Sequence, residues 1–353
     1  MLDNKPYIIG ETAYNHEGDI RYLYKMIDDI AELKLNAVKY HLLLKAESYL
    51  QKKHPLVELI KKWMFSQDEW VDILNYSNDK ELDVVALCDD VESLIFINQE
   101  FPNIKAIELH ASGLNDYYLL EQASLFQGTV ILGVGGSTLD EIQYALKFLK
   151  QHHKEDIMLM YGFQSYPTNY EDINLSKMLT LKSIFNVEIG YADHTGFDDP
   201  NNVFLSCAAA TMGFNVLEKH FTPDFGKERI DYHSAVGIDI MQKIKNLMEV
   251  TLKVYGTGDI AMSEPELKYG NTGPMKKAIV ARKKIRQGEI LSLDHLWFKR
   301  TEEESFIKQN MLLKLIGLEA CVDIDEDEIV DFSKVIYKFK QKTSSDFTNL
   351  KED

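Results

Sequence analysis

Eight short runs of β-branched and aliphatic residues recur in the first 221 residues, spaced by stretches with helical periodicity. They are "YIIGETAY" (7–14), "AVKYHLLL" (37–44), "DVVALCD" (83–89), "AIELHAS" (106–112), "TVILGVG" (129–135), "IMLMYGF" (157–163), "VEIGYAD" (187–193) and "NVLEKHF" (215–221). The intervening segments include "DIRYLYKMIDDIAELK" (19–34), "STLDEIQYALKFLKQ" (137–151) and "NLSKMLTLKSIF" (174–185), whose apolar residues fall on one helical face. Ser137 or Thr138, followed by Asp and Glu, reads as a helix start. Eight strand–helix repeats over about 250 residues predict an α/β fold of the (β/α)8 TIM-barrel type. An open doubly wound sheet gives the same alternation. No G-x-G-x-x-G follows the first strand, however, and polar residues cluster at nearly every strand end, which favours the barrel.

After a last helical segment (238–256) the pattern breaks. "GTGDIAMSEPELKYGNTGPMKK" has no steady period and reads as a connector. "ARKKIRQGEILSLDHLWF" and "EACVDIDEDEIVDFSKVI" then echo one another, predicting a small β-rich domain with internal pseudo-symmetry. The expected division is a barrel over 1–258, a linker over 259–275, a small domain over 276–340 and a disordered polar tail over 341–353.

Of the 353 residues, 45% are hydrophobic and 27% charged, as in a soluble globular protein, and the net charge of −17 argues against nucleic acid or anionic membrane as a partner. Three scattered cysteines form no disulfide framework. The N-terminus lacks the pattern of a signal peptide, and no apolar run reaches the roughly 20 residues of a membrane span. A cytoplasmic protein is expected.

In a barrel of this kind the chemistry lies at the C-terminal ends of the strands. Read in order, those ends carry Glu11, Asn15 and His16; Lys39 and His41; Ser112; Tyr166; Asp193 and His194; and His220, with Asp231 and His233 in the loop beyond. Imidazoles from neighbouring strands can share a divalent ion that keeps positions open for a substrate oxygen. Equally, each histidine could be a hydrogen-bonded strand end, with Asp193 capping a helix or turn; spacing alone leaves both readings open. His16 could bond loop backbone, and Cys88 reads as a small buried residue.

"IIGETAYNHEGDI", "AVKYHLLLKAESY", "SYPTNYEDINL", "IGYADHT" and "LEKHFTPDFGKERIDYHSAV", in this order, resemble the sialic acid (nonulosonate) synthases. "KKAIVARKKIRQGEILSLDHLWFKR" is similar to that family's C-terminal antifreeze-like (SAF) domain. The resemblance covers nearly all of residues 5–340. It implies a homodimer in which each small domain covers the partner's barrel. It also implies condensation of phosphoenolpyruvate with an N-acetylated hexose to a nine-carbon keto-sugar acid, assisted by Mn²⁺ or Mg²⁺.

By that resemblance His194 and His220 are metal ligands, and Glu11, Lys39 and Asp231 are catalytic groups, Asp231 holding sugar hydroxyls. Tyr166 lines the sugar pocket, Arg300 is the arginine delivered from the small domain, and Lys276 is a basic group at that domain's start. The donor half departs from the family. Leu87 replaces a threonine, Leu109 a lysine, Leu114 an acidic residue, and Gly133 and Ala192 serines. Gln164 replaces a shorter polar residue and His41 a glutamine, while Ser112 is kept. A phosphate dianion needs several donors and usually a cation, although the glycines of "GVGGS" offer backbone N–H groups. Two enzymatic expectations follow: a synthase with a reworked donor pocket, or an aldolase, lyase or isomerase of the same scaffold that does not use phosphoenolpyruvate. A non-catalytic sugar-binding homologue is the third expectation.

Overall fold

The computed structural model describes residues 5–166 and 168–337. The chain divides into two compact units, one running to Gly258 and the other starting at Asp259.

All eight strands form where the alternation places them: β1 (Tyr7–Glu11), β2 (Ala37–Leu42), β3 (Asp83–Cys88), β4 (Ala106–Leu109), β5 (Thr129–Gly133), β6 (Ile157–Tyr161), β7 (Glu188–Asp193) and β8 (Val216–His220). They pair in parallel, each with the next, and β8 returns to β1 to close the barrel. The closing register sets Tyr7 against Val216 and Glu11 against His220. With every edge paired, no open doubly wound sheet remains.

Helices cover the outside because one stripe of each is apolar. In Ile20–Glu32, Leu23, Met26, Ile27 and Ile30 are buried at spacings of three and four, and Asp19 caps the start by accepting from the N–H groups of Arg21 and Tyr22. Thr138 caps Leu139–Gln151 in a reciprocal box with Glu141. Between β2 and β3 the chain inserts three helices, Ala46–Tyr49, Val57–Trp63 and Gln67–Asp79.

Strand alternation gives the unit two cores. Val38, Val84, Ala86, Ile107, Leu132 and Leu217 face the helices in the larger one. Ile9, Ala37, Val85, Ala106, Ile131, Met158 and Val216 fill the inside of the barrel. This inner plug leaves the floor of the barrel dry, so charged residues on the same face are stacked above it, toward the strand ends.

In the second unit, β9 (Ala278–Ala281) pairs antiparallel with β10 (Leu296–Lys299), and β11 (Glu319–Ala320) with β12 (Val335–Ile336). The echoed sequences are structural repeats. Ile285 and Ile324 each donate a backbone hydrogen bond to the other at 2.8 Å. Ala281 N–H reaches Glu328 O at 2.9 Å, and Ala320 N–H reaches Glu289 O at the same distance. Ile279, Ile285, Leu291, Ile324 and Val330 form their shared core. The connector is less irregular than its composition suggests. Ser263 and Glu266 form a capping box that starts a short helix, Glu264–Tyr269, with proline in the first turn where its missing N–H costs nothing. The tail expected over 341–353 lies outside the described residues.

Candidate metal centre

Alternation along β7 and β8 sorts the charged residues at the barrel mouth. Asp193 and Lys219 are register partners and meet on the outer side of the wall at 2.8 Å. Ser206, from the helix Asn202–Ala208, donates to Asp193 at 2.5 Å, and the N–H of Thr195 does so at 2.9 Å. Burial opposes ionisation of Asp193, but Lys219 and these donors hold its carboxyl down at about 2. Asp193 therefore does make a turn and an ion pair. His194, one residue on, turns to the inner side.

There its ring meets that of His220, with centroids 5.0 Å apart and planes at 63°. Glu11 completes the group: one ligand atom from each of Glu11, His194 and His220 lies within 4.8 Å of the others. The barrel register explains the convergence, because Glu11 sits beside His220 on one side and Lys39 on the other. The two carboxylate oxygens have different partners. Lys39 Nζ lies 3.4 Å from Oε1 and His41 Nε2 3.2 Å from it, whereas His220 Nε2 lies 3.0 Å from Oε2. Burial raises the Glu11 carboxyl, yet Lys39 and His220 outweigh it and keep the group well below the usual carboxylate range.

These residues fit a divalent cation. Among the described residues, His194 Nδ1 and His220 Nδ1 are buried without a hydrogen-bond partner, a condition that costs about 1–3 kcal/mol per atom when nothing compensates. Burial, and then the neighbouring His220, pulls His194 down to about 3, so its ring is neutral and keeps a lone pair. Two imidazoles and a carboxylate suit a first-row divalent ion or Mg²⁺ with positions left open.

Beneath this group Lys39 is 2% exposed and surrounded by carboxylates, with Glu218 at 2.8 Å and Glu108 at 2.9 Å as well as Glu11. Glu108, Glu11 and Glu218 overcome the burial penalty and keep the ammonium charged. Burial and the charge of Glu11 push the Glu218 carboxyl the other way, well above its ordinary range. Beside them His41 spans Glu11 and Asp89 (3.5 Å). Although burial disfavours its charge, hydrogen bonds to Asp89 and Glu11 raise it to about 10.

The loops after β6, β7 and β8 join next to His194. Its carbonyl accepts from Ser234 Oγ at 3.1 Å and from Thr168 Oγ1 at 3.3 Å. Gln164 donates to Asp231 at 3.0 Å, and the Tyr166 ring stacks on His233 at 4.2 Å. Gly162 permits this approach: at its φ of 150° a Cβ would lie 2.0 Å from the carbonyl oxygen of Ala192. Across the mouth, Ser112 bonds His110 at 2.8 Å, and the His110 ring is 6.3 Å from that of His41. His16 accepts from the N–H of Gly18, and burial lowers it to about 3. Cys88 is buried, which pushes its thiol well up.

The apolar substitutions fall into two groups. Val85 belongs to the inner plug while Ala86 and Cys88 face the helices, so alternation turns Leu87 inward. A Cβ on Gly133 would sit 3.4 Å from Glu108 Oε1, and Ala192 is part of the inner core. Leu109 and Leu114, by contrast, pack in the outer core against the helices. Leu109 does not stand in a substrate pocket in place of a lysine; the inward side chain at this point of β4 is Glu108. Glu108 and Glu218 are the site residues that residue-by-residue comparison missed. Their signal was the period of two, since Ala106–Glu108 and Val216–Glu218–His220 each occupy one face.

In the second unit Lys276 is exposed. Arg300 is also exposed, and its Nε donates to Pro274 O at 2.7 Å.

Among the described residues no helix is long and apolar enough to cross a membrane. The chain is 30% identical to the uncharacterized protein MJ1065 of Methanocaldococcus jannaschii over 92% of its own length and 93% of that protein's. It is 25% identical to the N,N'-diacetyllegionaminic acid synthase of Campylobacter jejuni, covering 92% and 99% of the two chains. The structure of an N-acetylneuraminic acid (sialic acid) synthetase from Leptospira borgpetersenii superposes with a TM-score of 0.68 at 28% identity, over 75% of this chain and 90% of the other. The NeuB family model matches residues 26–259, more than half of the chain. The barrel, its metal-compatible mouth and these likenesses together lead to one assignment: this chain belongs to the NeuB family.

Proposed function

We propose that the protein is a divalent-metal-dependent nonulosonate synthase that condenses phosphoenolpyruvate with an N-acetylated hexose. The observation that carries this reading is the convergence of Glu11, His194 and His220 at the mouth of the barrel, within reach of a single ion. In the reaction, a carbon–carbon bond forms between the enol carbon of phosphoenolpyruvate and the aldehyde carbon of the sugar. Water adds to the carbon that carried the phosphate, and inorganic phosphate leaves as that carbon–oxygen bond breaks. The aldehyde oxygen gains a proton and the attacking water loses one. A divalent cation, Mn²⁺ or Mg²⁺, would supply Lewis acidity toward the carbonyl oxygen.

The protein's own groups have separable roles. Lys39 and His41 engage Oε1 of Glu11, which leaves Oε2 toward the imidazoles. Lys39, buried under three carboxylates, acts as a positioning group in this reading. Asp231, oriented by Gln164, accepts hydrogen bonds from sugar hydroxyls, and the stacked Tyr166–His233 pair offers a flat surface to the sugar ring. Arg300 and Lys276 belong to the small unit, which we read as an antifreeze-like domain that completes the partner's site in a homodimer. Ser112 stands on the donor side. Purified protein with Mn²⁺, phosphoenolpyruvate and a panel of N-acetylhexosamines should release inorganic phosphate together with a keto-sugar acid. No phosphate release with any sugar rejects the proposal.

The inner wall at Leu87, Gly133 and Ala192 favours a second reading, a sugar lyase, aldolase or isomerase that takes no phosphoenolpyruvate. Calorimetric binding of phosphoenolpyruvate would remove its support.

A further inference from the structure

At the opposite end of the barrel from the metal centre, a cavity of about 400 Å³ opens beneath the starts of β1 and β2. Four lysines from three separate segments line it: Lys5 before β1, Lys34 before β2, and Lys245 and Lys253 on the helix Ile238–Tyr255. Glu249 is the acidic residue among its lining residues, and Leu35 contributes apolar wall. Four lysines and one glutamate give the lining a positive balance on a chain whose net charge is −17.

Two features fix the geometry around this cluster. Lys34 stands in the left-handed region, at φ 53°, between the end of the helix Ile20–Glu32 and β2, so the turn itself fixes where its side chain starts. Lys245 donates to the carbonyls of Leu33 and Lys34 at 2.8 and 3.1 Å, which pins the helix Ile238–Tyr255 to that turn and offsets the negative helix end beside the cavity. Lys5, Lys34 and Lys253 line the cavity, are exposed, and make no ion pair with the described residues, so no salt bridge neutralises them there.

We propose that this basal cavity is a second binding site, distinct from the barrel mouth, for a small phosphorylated or polycarboxylated metabolite. The volume falls within the range of small-molecule sites, roughly 300–1,000 Å³. An anion there gains from several cations on low-dielectric walls, an attraction that salt weakens. This inference does not depend on the reaction proposed above.

Isothermal titration of the full-length protein with inorganic pyrophosphate, and separately with citrate, tests it. One equivalent of at least one probe should bind, more weakly at higher salt. The double variant Lys34→Glu/Lys253→Glu should weaken binding at least about tenfold, and Lys34→Gln/Lys253→Gln should weaken it less. His220→Ala, which alters the barrel mouth, should leave it unchanged. A response to pyrophosphate alone assigns a phosphorylated ligand, and a response to citrate alone assigns a polycarboxylate. Absence of binding by both probes overturns the proposal. Wild-type affinity in the glutamine variant, or loss of binding with His220→Ala, overturns it as well, and the glutamine variant guards against misfolding from charge reversal.

Discussion

Asp193 and His194 are consecutive, yet they work on opposite sides of the barrel wall. Asp193 pairs with Lys219 under the helical layer at 2.8 Å, and His194 faces His220 inside the mouth with ring centroids 5.0 Å apart. The outer pair holds the end of β7 in place, and so sets the direction in which the next side chain leaves the strand. Stability and chemistry are thereby assigned to adjacent residues and can be tested apart.

Replacing a candidate ligand should remove metal without unfolding the protein. His194→Ala, His220→Ala and Glu11→Gln are each expected to lower Mn²⁺ affinity by at least about tenfold, since even partners of ligands are worth 10–100-fold. Equilibrium dialysis with elemental analysis measures this. Chelation of the wild-type protein should abolish phosphate release, and added Mn²⁺ or Mg²⁺ should restore it.

Asp193→Ala should behave in the opposite way. It leaves Lys219, which is 0% exposed, without its counter-ion, and loss of one partner of a buried pair costs about 3–5 kcal/mol. Urea denaturation should show that loss. The variant that remains folded should bind Mn²⁺ far better than His194→Ala does. Equal loss of metal in both would refute the separation of faces.

Lys39→Met removes the cation shared by Glu11, Glu108 and Glu218. Carboxylates crowded without it should destabilise the barrel by about 3–5 kcal/mol. Adding Glu108→Gln and Glu218→Gln to the same protein should recover part of the loss, as neutral amides do not repel. A denaturation series over the single and triple variants measures both effects.

Leu109→Lys provides a sharp test of strand parity. Were Leu109 in the donor pocket, a lysine there would strengthen phosphate binding. Packed among helix residues, the new ammonium is instead expected to destabilise the protein, and Leu109→Ala should cost about 2–5 kcal/mol through the cavity it leaves. Thermal melts and phosphate titration distinguish the outcomes.

The sequence by itself determined the order and kind of the elements. Eight apolar runs alternating with helical stripes admit few closed arrangements, and the echo around Ile285 and Ile324 already contained the paired halves of the small unit. It also presented His194 and His220 at strand ends. Only the tertiary structure decided which charged residues meet. Lys39 and Glu218 are 179 residues apart and touch because β8 closes against β1. A shift of one residue turns a side chain to the other face of a strand, so the β4 position occupied by Leu109 could not be assigned by matching types alone. Local pattern fixes elements because hydrogen bonding and burial within them are short-range. The site depends on closure and register, which bring together side chains that no local segment contains.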